Sequence, residues 1–235
     1  MRLKHITFTG VDAKTDVEAL REIQNRWPMV EFGVLTSYHW YENGNRYLDP
    51  RLFRYLTKAQ LRLSLHVCGT AAHDAACGEY GEICYLSWGK YRYFQRIQLN
   101  VAERKDNPKI VSSTPYGHEV IIQQRNIHDL SLYAQTREEW KDYCGELSIL
   151  LDASGGRGID TELKILHTDH KIGYAGGFNP ENVEDKLTYL YENGCANFWI
   201  DMESGVRTDD WFDIDKVVKV LEICKPIIER YDKMV

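Results

Sequence analysis

The chain has 235 residues, 43% of them hydrophobic and 27% charged, with a formal net charge of −6. That length and apolar content suit one domain with a sizeable core, and the acidic balance argues against a nucleic-acid binder, which normally carries a basic face. No apolar run approaches the roughly 18–20 residues that span a bilayer, and MRLKHITFTG has neither the apolar stretch nor the cleavage pattern of a signal peptide, so no membrane partner and a cytoplasmic location are expected.

Strand-like runs recur along the whole chain, at 5–9 (HITFT), 30–36 (VEFGVLT), 62–67 (RLSLHV), 95–101 (QRIQLNV), 118–124 (HEVIIQQ), 147–152 (LSILLD), 171–175 (KIGYA) and 197–201 (NFWID). Helical patterns sit between them. Residues 15–27 begin on a Thr/Asp cap and place Val17, Leu20 and Ile23 at helix spacing. Pro50 suits the first turn of a helix through Tyr55 and Leu56, and residues 128–144 carry a stripe of Leu130, Tyr133, Trp140 and Tyr143. Residues 180–193 open on Pro180 and close before Gly194, and 213–232 bury Val217, Val220, Leu221 and Cys224. The interval 70–93 is the least regular. Strand–helix alternation implies parallel strands, and about eight of them favour an α/β fold closed as a single (β/α)8 TIM barrel over 1–235. The alternative, an open doubly wound sheet, would normally show one dominant glycine-rich first turn, whereas the glycines here lie late.

No Pro/Ser linker or low-complexity stretch marks a domain boundary, and the six cysteines show no metal spacing, so free thiols are expected. The helical aromatics Trp27, Trp140 and Tyr189 read as packing residues.

Three late strand ends run into glycine turns, at 148–159, 172–183 and 197–206. In a barrel, Gly176 and Gly177 after the seventh strand, with Ser204 and Gly205 after the eighth, occupy the usual phosphate position, where exposed backbone N–H groups meet an anion. Gly155, Gly156 and Gly158 flank Arg157 and would close the other side of the ligand, with Arg157 adding a charge-assisted contact. Asp152 ends an otherwise apolar strand and should project into the mouth, where apolar surroundings favour the protonated form of a carboxylic acid. Glu31, Gln98, Asn100, Gln123 and Arg125 are polar residues on or beside apolar strands, and buried polar groups need partners, so an internal network or a polar ligand is implied. Asp201 and Glu203 add carboxylates opposite Asp152. The aromatic loop 37–47 reads either as a lid with Arg46 pointing into the site or as an ordered surface loop.

Gly176-Gly177-Phe178-Asn179-Pro180-Glu181-Asn182-Val183 resembles the glycine-glycine-leucine-asparagine-proline-glutamate-asparagine-valine run of the phosphoribosylanthranilate isomerase family of TIM barrels, with one position changed. Asp201-Met202-Glu203-Ser204-Gly205-Val206 is similar to that family's aspartate-x-serine-serine-glycine-valine. Leu150-Leu151-Asp152 and Asn45-Arg46-Tyr47 resemble the segments carrying its general acid and a substrate-reaching arginine. The resemblance implies that Asp152 protonates a ribose ring oxygen and opens the sugar.

It also exposes departures. The family's first strand ends in lysine-isoleucine-cysteine-glycine, whose cysteine is the base. Here Phe8-Thr9-Gly10 stands in that place, and a hydroxyl cannot take a carbon-bound proton unaided. Three replacements lie near strand ends: Asp12, and His66 with Cys68, whose alternation points both side chains to one face. The expectation is therefore a phosphosugar-handling isomerase, with no cofactor or metal, working as a monomer or homodimer on a reaction other than the family's own. A non-catalytic phosphate-ligand binder, or an epimerase or lyase using a metal on His66 and Cys68, are the alternatives.

Overall fold

The computed structural model describes residues 2–39, 44–48, 53–76, 93–100, 118–124, 146–154, 158–168 and 170–233. Eight strands form a closed barrel in chain order: β1 (Leu3–Thr9), β2 (Val30–Thr36), β3 (Leu63–Cys68), β4 (Arg96–Asn100), β5 (Glu119–Gln124), β6 (Glu146–Asp152), β7 (Ile172–Ala175) and β8 (Phe198–Met202). All neighbours are parallel, and β8 closes on β1. Each expected strand is present within two residues at either end.

Among the described residues, five helices follow strands: α1 (Val17–Arg26), α2 (Phe53–Lys58), α3 (Thr70–Ala76), α4 (Val183–Glu192) and α5 (Ile214–Asp232). Asp16 caps α1 by accepting from the Glu18 and Ala19 amides. The pattern over 128–144, with Trp140, and Pro50 lie outside the described residues. Cys68, Cys195 and Cys224 are free thiols. Trp27 is buried as expected, but Tyr189 is 42% exposed, because its helix face looks outward rather than onto the sheet.

Alternation along each strand sorts residues between two cores. Outward-facing Ile6, Phe8, Phe32, Leu65 and Ile200 pack in the shell beneath the helices. The apolar part of the inner core is small: Ile121, Leu150 and Trp199 cluster together. Gly173 makes room for that indole, because a Cβ there would stand 2.3 Å from Trp199 Cζ2.

The rest of the interior is polar. Arg96 Nη1 donates to Glu31 Oε1 at 2.9 Å, and Thr7 Oγ1 donates to the same oxygen at 3.0 Å. Arg96 Nη2 lies 3.1 Å from Glu119 Oε1 as an ion pair without hydrogen-bond alignment, and Lys171 pairs with the other Glu119 oxygen. Burial works against the charged form of Glu119, but Arg96 and Lys171 outweigh it and hold the carboxyl below its ordinary range. The Arg96 guanidinium sits 4.1 Å from the centre of the Trp199 ring. Arg96, Glu119, Glu31 and Trp199 are first or second in their strands, so the network fills the end of the barrel opposite the mouth. Glu31, expected to meet a substrate, is instead fully buried in this network.

Candidate active site at the C-terminal mouth

The strand ends surround a cleft open to solvent. Asp152, Gly176, Gly177, Asp201, Glu203, Ser204 and Gly205 all line it, together with His66, Gln98, Asn100 and Gln123. The late glycines and the carboxylates therefore converge at one end of the cylinder. Gly155, Gly156, Arg157 and Arg125 lie outside the described residues, as do 40–43 of the aromatic loop. Gly158 and Ser154 reach the cavity from β6.

The glycine turn after β7 is held from outside the barrel. Gly176 O accepts from Lys186 Nζ at 2.6 Å, and Gly177 O accepts from Asn182 Nδ2 at 3.0 Å and Asn179 Nδ2 at 3.2 Å. In a trans peptide the N–H points opposite the preceding carbonyl. The amides of Gly177 and Phe178 are thereby aimed away from α4, towards the cavity their residues line. Gly176 and Gly177 have φ of +126° and +72°. A Cβ on Gly177 would also strike the Asp160 backbone at 2.6 Å, so backbone shape and packing both demand glycine. Beside it, Ser204 opens a short 3₁₀ turn (Ser204–Val206) after the neighbouring strand β8. The amides of Gly177, Ser204 and Gly205 find no acceptor among the described residues.

Two carboxylates stand in register on β6 and β8, either side of β7. Asp152 is in register with Ala175, and Tyr174 just before it is in register with Ile200, the residue before Asp201. The two aspartates thus flank a small alanine, their backbones about 10 Å apart at roughly 4.8 Å per strand. Asp152 Oδ2 accepts from Gln123 Nε2 at 2.6 Å, while Oδ1 accepts from the Ser154 amide at 3.0 Å and meets the Ser154 hydroxyl at 2.6 Å. Its surroundings are polar rather than the apolar ones expected from the strand.

Asp201 has fewer donors. Thr9 Oγ1 donates to its Oδ1 at 2.8 Å. Burial, with Glu203 and Glu31 nearby, pushes its carboxyl up to about 7, against the pull of the Thr9 hydrogen bond and Arg96.

The other base candidates fare differently. Burial pushes the Cys68 thiol up to about 12, although its sulfur accepts from Asn100 Nδ2 at 3.3 Å. Burial, opposed by Glu31 and reinforced by Arg96, drives His66 down to about 3. Gln98 Nε2 lies 3.1 Å from its Nδ1 and Ser64 Oγ lies 3.0 Å from its Nε2, which fits a neutral ring in a hydrogen-bonded chain. Both side chains face inward, as their alternation implies, but neither is poised to take a proton. Asp12 does not reach the mouth. Its Oδ2 accepts from Arg207 Nη2 at 3.1 Å and the Phe212 amide at 2.7 Å, on the flank beside α1. Among the described residues, no three His, Cys, Asp or Glu side chains stand together as metal ligands.

Arg46 also differs from expectation. Its Nε donates to Asp210 Oδ1 at 2.9 Å and its Nη1 to Glu203 Oε1 at 3.2 Å, tying the loop after β2 to the loop after β8. It does not line the cavity. Sequence reasoning overlooked Ser154 and Lys186 and gave no role to Asn179. The Asn-Pro-Glu-Asn run held the signal, since two asparagines around a helix start are natural carbonyl and amide partners.

A closed barrel of eight parallel strands, with glycine turns and carboxylates gathered at its C-terminal mouth, is a (β/α)8 TIM barrel. Residues 94–223, more than half the chain, match the sequence profile of N-(5'phosphoribosyl)anthranilate (PRA) isomerase, and the chain belongs to that family. TrpF from Jonesia denitrificans shares its fold at 17% identity and a TM-score of 0.59, over 95% of this chain and 97% of that one. The phosphoribosyl anthranilate isomerase of Thermotoga maritima does so at 16% identity and 0.58, over 95% and 100%. That of Pyrococcus furiosus follows at 16% and 0.55, over 94% and 98%. No curated protein sequence matches. Among the described residues, no helix is long and apolar enough to cross a membrane.

Proposed function

We propose that this chain is an isomerase of a phosphorylated aminosugar, with Asp152 as general acid and Asp201 as general base, and that N-(5'-phosphoribosyl)anthranilate is not its substrate. The observation that carries the reading is the pair of carboxylates in register on β6 and β8, lining one cavity with the glycine turns. The phosphate rests on the amides after β7 and β8. Asp152, on the strand where the family carries its acid, protonates the ring oxygen, and the C1–O bond breaks to leave an iminium at C1. Asp201 then removes the proton from C2; the C–H electron pair forms C1=C2 and the C=N pair returns to nitrogen. The enol tautomerises to the ketone, so the product is an isomer and no other reactant is consumed. Asp201 reaches the place of the missing cysteine through its hydrogen bond to Thr9, and a carboxyl near 7 suits proton removal at neutral pH.

The test is deuterium exchange. N-(5-phosphoribosyl)aniline in D2O should be converted by the wild-type protein to a ketose that carries solvent deuterium at C1. Asp152→Asn should slow this about 10²–10⁴-fold, while ribose 5-phosphate binding by calorimetry stays intact. Normal exchange in that variant would remove Asp152 from the reaction. The non-catalytic reading draws on Thr9 in the place of the family's base, and it prevails if the wild type binds ribose 5-phosphate yet never exchanges deuterium.

The cradle makes its own prediction. Lys186→Met frees the Gly176 carbonyl to turn, so ribose 5-phosphate should bind about tenfold more weakly. Undiminished affinity would show that α4 does not hold the turn in its anion-binding shape.

A further inference from the structure

We infer that the end of the substrate remote from its phosphate bears no carboxylate, and that Glu203, tethered to Arg46, selects a neutral or amine-bearing group there. This deepens the isomerase reading and rests on it.

Asp152, Asp201 and Glu203 line the cavity, and among the described residues no lysine or arginine does. The guanidinium paired with Glu203 is that of Arg46, which directs Nη1 to Glu203 and Nε to Asp210. Arg207 is buried and directs its Nη atoms to Asp12 and to the carbonyls of Gly10 and Asp210. An entering carboxylate would have to compete with Glu203 for Arg46 while approaching Asp201.

The direction of Glu203 shows which part of the ligand it meets. Its Cγ lies 3.5 Å from where a Gly10 Cβ would stand, so the side chain runs over the end of β1 towards the loop after β2. The phosphate cradle lies on the other side, at β7 and the start of the turn after β8. A sugar phosphate anchored in that cradle therefore extends its amine substituent past Asp201 towards Thr9, His66 and Glu203. Anthranilate, named in the family description, carries a carboxylate on its ring. Glu203 stands where the family pattern has a serine, which would leave a corresponding arginine free for such a group.

Calorimetry with two stable probes decides it: 1-anilino-1-deoxyribitol 5-phosphate and the same compound with an ortho-carboxylate on the ring. The wild type should bind the uncarboxylated probe at least about tenfold more tightly, and Glu203→Ser should tighten the carboxylated probe by at least about tenfold through release of Arg46. Glu203→Gln, which keeps the side-chain shape, should move the ratio in the same direction. Adding Arg46→Met to Glu203→Ser should take the gain away. Equal or tighter wild-type binding of the carboxylated probe overturns the inference, as does a ratio that neither Glu203 variant changes. If ribose 5-phosphate binds while the two probes bind alike, this inference alone falls. If ribose 5-phosphate and both probes fail to bind, the phosphosugar reading falls and takes this one with it.

Discussion

Asp201→Asn should abolish proton abstraction and at the same time make the protein more stable at alkaline pH. Loss of the base costs about 10²–10⁴ in kcat/KM for the accepted aminosugar. The gain in stability follows from the raised carboxyl. Asp201 releases its proton near 7 in the folded chain, against an ordinary value of 3.8. Between those values the native state binds more protons than the unfolded state, so stability falls as pH rises through that window and stays low above it. Asparagine carries no charge to bury and can still accept from Thr9 through its side-chain oxygen. The variant should therefore match the wild type near pH 4 and exceed it at pH 8 by on the order of 2–4 kcal/mol in urea titrations. Equal stability at pH 8 would mean that the carboxyl is not held up by its surroundings. In the wild type, kcat/KM should climb with pH until about 7 and then level off, because the deprotonated form is the base.

The largest effect on folding belongs to Arg96. Its guanidinium is 2% exposed and lies between Glu31, fully buried, and Glu119. Arg96→Ala would leave two carboxylates inside the barrel with only Lys171, on the far side of Glu119, to compensate them, and would strip the cover from Trp199. Removing one partner of a buried ion pair costs about 3–5 kcal/mol, which the urea midpoint reads directly. Arg96→Met combined with Glu31→Gln and Glu119→Gln should recover most of that loss, since uncharged groups need no counter-charge. A change below about 1 kcal/mol for Arg96→Ala would contradict the role assigned to this network.

Much of the architecture was legible because a barrel strand is short and local. RLSLHV alternates inward polar with outward aliphatic residues, and RIQLN in β4 repeats the pattern. Asp152 and the glycine turns were legible for a similar reason, as each sits at the end of its own strand. What escaped depends on pairs remote in the chain. The Thr9–Asp201 hydrogen bond joins residues 192 positions apart, and burial at their meeting point is what raises the Asp201 carboxyl. Asp12 follows the first strand and so suggested the rim. The chain instead turns at Gly10, with φ +94°, and delivers Asp12 to Arg207, 195 residues away. Cys68 and His66 were placed correctly on the inner face, but their acidity is set by how little water reaches them, which alternation does not encode. Glu31 was read as a ligand group because a charge inside an apolar strand implies a partner; that partner is Arg96, 65 residues on.

In the proposed reaction, the grip on phosphate and the reacting floor draw on different parts of the fold. Lys186, Asn179 and Asn182 clasp the β7 turn from beyond the wall of the cylinder, whereas Thr9, His66 and Asp201 belong to its lining. Under that proposal, side chains on the first three strands can be exchanged without loosening the turn assigned to the phosphate. A lineage built on this frame can thus trade one transformation for another while keeping the same class of metabolite docked, and the exchange of a thiol for a hydroxyl at position 9 is the trace such a trade would leave.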